Sequence, residues 1–178
     1  MKKFLLAILA AATLTGCSLT EPIPVKGEVV SCESIRIKSS SDMPLECLGG
    51  GEGVAVSAIR GPAIVNVWGT WCKPCRQELP HLAHYLAQHP KGAKVIGIAV
   101  EEKNQAVVKK FVETHGITWP ILYDADGSTR ETFGMGVPVT WFIDSSGRVA
   151  YKKFGPFKSL EEIEMATIKY LGVKRSLM

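Results

Sequence analysis

Residues 63–68 read Ala-Ile-Val-Asn-Val-Trp, a nearly unbroken apolar run of six residues. A strand with one wet face alternates apolar and polar side chains. A run apolar on both sides must be covered on both. This stretch therefore predicts a central strand of a sheet packed between two layers. It leads through Gly69-Thr70-Trp71 into Cys72-Lys73-Pro74-Cys75, after which Leu79, Leu82 and Leu86 recur at helical spacing. The pattern predicts a helix over 72–88 and a second buried strand over 94–100.

The rest of the chain extends that alternation. Residues 54–56 read as a short strand, 104–115 as a helix stopped by Gly116, and 121–123 as a short strand before an Asp-Ala-Asp-Gly turn. Residues 139–144 and 149–152, joined by Ser145-Ser146-Gly147, read as a β-hairpin. Ser159 and Glu162 have the spacing of a capping box for a last helix that carries Leu160, Ile163 and Leu171 and ends at Gly172. Strands alternating with helices, then a hairpin and a helix, imply a mixed sheet with helices on both faces.

The N-terminus is an address. Met1-Lys2-Lys3 precedes an apolar run over 4–14, too short to span a bilayer but suited to a signal segment. The run closes in Leu14-Thr15-Gly16-Cys17, which resembles the bacterial lipoprotein attachment box and marks Cys17 as a site of lipidation. Pro22 and Pro24 then argue for an unstructured tether. The expected organisation is a signal peptide over 1–16, a tether and stapled extension over 17–53, and one domain over 54–178. The net charge of +4 falls to about +2 once Lys2 and Lys3 are set aside, too little to argue for nucleic acid.

An exported chain can keep disulfides. Of the five cysteines, Cys17 is given to lipid, Cys72 and Cys75 form one close pair, and Cys32 and Cys47 remain as the other. Cys32–Cys47 reads as a structural staple, with a second redox-active pair or a regulatory switch as alternatives. A staple of that span is worth roughly 3 kcal/mol.

Cys72-x-x-Cys75 at a helix start places the first sulfur beside unpaired N–H groups of the first turn. The helix dipole favours a thiolate there, and Lys73 adds positive charge. Pro74 costs no helical hydrogen bond in that turn. Cys75 lies within bonding reach, so the pair supports thiol–disulfide exchange through a mixed disulfide, with no cofactor beyond its own cysteines. A zinc site would need a second close pair, and Cys32 with Cys47 is too widely spaced to supply one, so no metal is expected.

Asn66-Val67-Trp68-Gly69-Thr70-Trp71-Cys72-Lys73-Pro74-Cys75-Arg76-Gln77-Glu78-Leu79-Pro80 resembles the active-site stretch of thioredoxin-like proteins of the TlpA/ResA type. The similarity extends to Gly136-Val137-Pro138-Val139-Thr140-Trp141-Phe142-Ile143-Asp144, and to a helix–strand unit over 104–124 where that family carries an insertion. The resemblance implies a thioredoxin-like three-layer α/β/α fold with a mixed central sheet. It implies a cis peptide before Pro138, set against the sulfurs, with the Val137 backbone offered to a bound substrate. It also implies an acid–base role for Glu78, one helical turn beyond Cys75, since thioredoxin's buried aspartate is replaced here by Asn66. Trp71 is a candidate substrate surface.

Taken as a whole, the resemblance implies a membrane-tethered oxidoreductase on the outer face of the cell membrane. Its substrates would be disulfides of exported proteins, apocytochrome c among them, and its electrons would come from a membrane donor of the CcdA/DsbD kind. An oxidase or isomerase of secreted proteins and a metal carrier are the alternatives. A peroxidase is weaker, because Gly69 stands where its threonine would be.

Overall fold

The structure, a computed structural model, describes residues 26–134 and 136–174. The lipidation site at Cys17 and the signal segment lie outside the described residues. Six strands form one sheet: β1 (Glu46–Cys47), β2 (Ala63–Trp68), β3 (Lys94–Val100), β4 (Ile121–Asp124), β5 (Val139–Ile143) and β6 (Val149–Phe154). Their order is β1-β4-β3-β2-β5-β6. β2, β3 and β4 run parallel, and β1, β5 and β6 pair antiparallel to their neighbours. Among the described residues three α-helices connect strands, α1 (Lys73–Gln88), α2 (Gln105–Thr114) and α3 (Arg130–Phe133), and a fourth, α4 (Leu160–Leu171), follows β6.

All six residues of β2 are buried, as the apolar run requires. Its side chains alternate between two cores. Ile64 and Trp68 join Ala99, Phe142 and the apolar faces of α1, α2 and α4. Ala63, Val65 and Val67 join Ile96, Ile98, Val139 and Trp141 on the other side. That second face is not covered by a long helix. Its cover is the one-turn helix α3, through Phe133, and the N-terminal segment, through Cys32, Ile35, Val54 and Ile59. The stretch expected as an extension is thus part of the core, and through β1 part of the sheet.

Local chemistry accounts for the helix ends. Asn104 caps α2 by accepting from Val107 N–H at 3.1 Å. Ser159 caps α4 by accepting from Glu162 N–H at 3.3 Å. The return bond of the expected capping box falls one residue early, from Lys158 N–H to Glu162 Oε2 at 3.1 Å. Gly172 closes α4 at φ 65°, a left-handed backbone geometry that favours glycine.

One expectation about the elements needs correction, and one element is additional. Residues 54–56 are not a strand. Val54 makes a single antiparallel bridge to Leu45, and the chain then turns through a short 3-10 segment at Val56–Ala58 that delivers Ile59 to the core. Helix α3 was not expected. It is organised by Asp124, whose carboxylate accepts from Ser128 and Thr129 through both backbone N–H and hydroxyl groups at 2.6–3.0 Å.

Candidate active site

The site is built where β2 ends and α1 begins. Cys72 is the N-cap of α1, in extended backbone conformation, and its Sγ accepts from Cys75 N–H at 3.2 Å. The first sulfur therefore sits on the unpaired end of the helix, as the spacing requires. Cys72 and Cys75 are joined as a disulfide with Cα atoms 5.3 Å apart. Cys75 is the deeper of the two, fully buried against 3% exposure for Cys72.

The Val137–Pro138 peptide is cis, and the Val137 carbonyl oxygen lies 3.7 Å from Cys72 Sγ. The oxidised sulfur has no hydrogen to give. Once reduced, the Cys72 thiol can donate to that carbonyl. Trp71 is 54% exposed beside the pair, with its indole N–H reaching Val100 O at 3.4 Å. Trp68 is not part of this surface: it is fully buried and packs on Phe111.

Gly69 makes room for Trp71. A Cβ at position 69 would fall 2.6 Å from the Trp71 indole nitrogen. A threonine there, as a peroxidase arrangement would need, would displace the tryptophan.

Glu78 lies one turn past Cys75 on α1 and is fully buried. It is not a solvated helix glutamate. Its Oε1 accepts from Asn66 Nδ2 at 2.8 Å and its Oε2 from Phe157 N–H at 3.0 Å. Burial pushes its pKa up to about 7, against the lowering effects of those two hydrogen bonds and of the Lys153 charge. A carboxyl group poised near neutrality can both give and take a proton. Asn66 donates its second amide hydrogen to Thr140 Oγ1 at 3.0 Å, and its own Oδ1 has no partner. The amide thus faces Glu78 as a pure donor, which suits the ionised carboxylate. Turned over, it would offer Oδ1 to the protonated form.

Sequence reasoning missed Glu102. This carboxylate is 6% exposed, two residues past the end of β3, and holds the loop before Cys72, accepting from both the backbone N–H and the hydroxyl of Thr70. Nothing in the spacing pointed to it, since the two residues are 32 apart. Thr140 and the Phe157 N–H were missed for the same reason. Cys32 and Cys47 are bridged to each other, with Cα atoms 5.9 Å apart, and belong to the second core rather than to this site.

The chain is similar to known proteins. The model of the AhpC/TSA family matches residues 40–152. A model of the prokaryotic membrane lipoprotein lipid attachment site matches residues 1–18. The chain is 32% identical over 117 residues to the thiol-disulfide oxidoreductase ResA of Bacillus thuringiensis, a match taking in 64% of this chain and 66% of that protein. It is 30% identical over 112 residues to the thioredoxin-like protein YneN of Bacillus subtilis, with 62% and 66% covered. In both cases the chain spans just under two thirds of the relative's length. The solved structure of StoA from Bacillus subtilis is 25% identical with a TM-score of 0.58, covering 69% of this chain and 93% of that one.

Proposed function

The chain belongs to the AhpC/TSA family, and from that footing we propose that it is a thiol–disulfide oxidoreductase. The observation that carries the reading is the Cys72–Cys75 disulfide at the N-terminus of α1, with the Val137 carbonyl of the cis Val137–Pro138 peptide against it and a buried carboxyl group one turn below. In the reducing direction the Cys72 thiolate attacks one sulfur of a substrate disulfide. The substrate S–S bond breaks, a Cys72–substrate bond forms, and the departing substrate sulfur takes a proton. Cys75 then loses its proton to Glu78 and attacks Cys72 Sγ. The second substrate thiol leaves, and two electrons have passed from the pair to the substrate. A membrane donor of the CcdA/DsbD kind would restore the dithiol.

The reading extends to a lipid anchor on Cys17 at the extracytoplasmic face of the cell membrane, supported by the lipoprotein attachment match over residues 1–18. It extends also to exported proteins as substrates, including the CxxCH sites of apocytochrome c during cytochrome c maturation. ResA among its relatives carries the thiol-disulfide oxidoreductase name, which supports the chemistry.

The test is a trap. With Cys75→Ala, Cys72 forms a mixed disulfide that nothing resolves, and the captured proteins can be identified. Apocytochrome c on Cys72 supports the full reading. A broad range of secreted proteins supports an oxidase or isomerase instead. No adduct, with biological activity retained, overturns the redox assignment.

A further inference from the structure

The end of the sheet opposite the active site carries an unassigned cleft of about 480 Å³. Its walls come from the starts of β2 and β3, the turn leading into β4, the end of α1 and the N-terminal segment. Four cations line it, Arg36, Arg60, Lys91 and Lys94, and no carboxylate does. Val95, Ile96 and Trp119 give it an apolar floor. None of the four cations forms an ion pair among the described residues. Arg36 donates to Gly61 O at 3.1 Å, Arg60 to Ile59 O at 2.8 Å and Lys94 to Pro90 O at 3.5 Å. Neutral carbonyls satisfy hydrogen bonds but leave the charge uncompensated.

The position of the chain's entry decides what meets this charge. Gly27 and Glu28 donate to Glu113 O and Ile117 O, at 2.9 and 2.8 Å, so the N-terminal segment joins the fold beside Thr118, Trp119 and Pro120. Those three residues and Val30 are themselves part of the cleft wall. From Cys17 to Lys26 the chain can reach at most about 30 Å even when fully extended. An acyl anchor on Cys17 therefore holds the basic end close to the bilayer.

We propose that the Arg36–Arg60–Lys91–Lys94 cleft docks on anionic phospholipid headgroups of the membrane that carries the anchor. The proposal rests on the lipid-anchor reading above. β2 and β3 run parallel from this cleft toward Cys72, about 20 Å away. Docking therefore points the disulfide away from the bilayer, toward exported proteins. Release lets the tether turn it back toward a membrane donor. The attraction is electrostatic and acts only within about 8 Å of the surface at physiological ionic strength, so it is reversible by salt.

The test uses the full chain extracted from the membrane, its intact mass recording whether Cys17 is acylated. It is reconstituted in vesicles of phosphatidylcholine alone or of equal parts phosphatidylcholine and phosphatidylglycerol, then treated with an amine-reactive label. With phosphatidylglycerol, Lys91 and Lys94 are expected to react about five-fold more slowly, while Lys73 at the other end is unchanged and salt removes the difference. Arg36→Glu should weaken the shielding and leave thiol exchange in detergent at the wild-type rate. Equal labelling in both lipids, or shielding of Lys73 instead, overturns the proposal. So does equal protection by inorganic phosphate in detergent, which would mark a free-anion site. An unacylated Cys17 overturns the anchor reading, and with it the reason for assigning this cleft to the membrane. An acylated chain without shielding overturns the cleft alone.

Discussion

Cys32–Cys47 joins residues 15 apart and ties the edge strand β1 to the N-terminal segment; Cys72–Cys75 joins residues 3 apart at a helix cap. Both are buried or nearly so, one pair in each of the two cores that the sheet separates. Their surroundings differ. Cys72 sits at the N-terminus of a 16-residue helix, where a thiolate is favoured. Cys32 opens a 3-residue turn, and the ionisable groups in the cleft it lines are the carboxylates Glu33 and Glu52, which oppose a thiolate. Cys75 has a proton acceptor one turn away. The polar group against the sulfur of Cys32 is the Ile121 carbonyl, at 3.9 Å. A disulfide becomes exchangeable through what lies around it. The longer loop of the first pair makes it the better staple.

The sharpest way to break this contrast is to remove each pair. Cys72→Ser should reduce insulin-disulfide reduction to the background rate. Cys32→Ser with Cys47→Ser should leave that rate near wild type, while denaturant unfolding shows a loss of about 3 kcal/mol. If the second variant lost exchange activity with its fold intact, the outer pair would be part of the electron path.

Next in size is the proton acceptor. Glu78→Gln keeps the shape of the side chain but cannot titrate. Its exchange rate near neutral pH is expected to fall about a hundred-fold. Any inflection near pH 7 in the wild-type profile should vanish with it. An unchanged profile would leave Glu78 as a packing residue and return the active pair to the helix terminus alone.

The same group sets a stability signature that the outer pair lacks. Its folded pKa of about 7 lies above the ordinary value of 4.5, so the folded state holds the proton that the unfolded state has lost. Stability should therefore fall as pH rises between those values, by an amount on the order of 3 kcal/mol, and level off above. Glu78→Gln should flatten that slope. At lower pH the sign reverses. For Asp124, burial would raise the carboxyl, but the Thr129 and Ser128 hydrogen bonds hold it below its usual value. Asp144 is held at about 2, chiefly by Ser146 and Arg148. Stability from these two is present above the ordinary carboxylate range and lost as they protonate. Unfolding of wild type and variant across pH checks both limbs.

What was legible in the sequence follows the same division. The β2 run, the β3 run, the helical stretch from Asn104 and the cap at Ser159 are local patterns, and each led to the observed element. Cys72 and Cys75 were legible because their chemistry needs a fixed spacing. The covering of the second face was not, because it depends on contacts made at long range. β1 is two residues long and exists only because β4 offers it an edge and Cys32 holds it there. Asn66, in the place of thioredoxin's aspartate, is an amide and cannot titrate. Its actual use, as the donor that faces Glu78, depends on strand and helix being packed together. Glu102 gave no sign at all until β3 brought it to Thr70.

The smallest expected effect concerns the approach to the exchangeable pair. With Cys72 only 3% exposed, a partner must come in over the half-exposed ring of Trp71. The indole is seated by Gly69 beneath it and by its bond to Val100 O, so it presents a fixed aromatic face rather than a mobile one. Trp71→Ala removes that face without touching either sulfur, Glu78 or Pro138. The Michaelis constant for a protein disulfide should rise about three- to ten-fold, with kcat nearly unchanged. Equal losses in kcat and in kcat/KM would instead mean that the ring positions Cys72, since that is the mark of an interaction made only in the transition state. Either way the variant should leave the Cys32–Cys47 staple and its share of stability untouched. That separates a surface made for a passing partner from a bond made only to hold the chain.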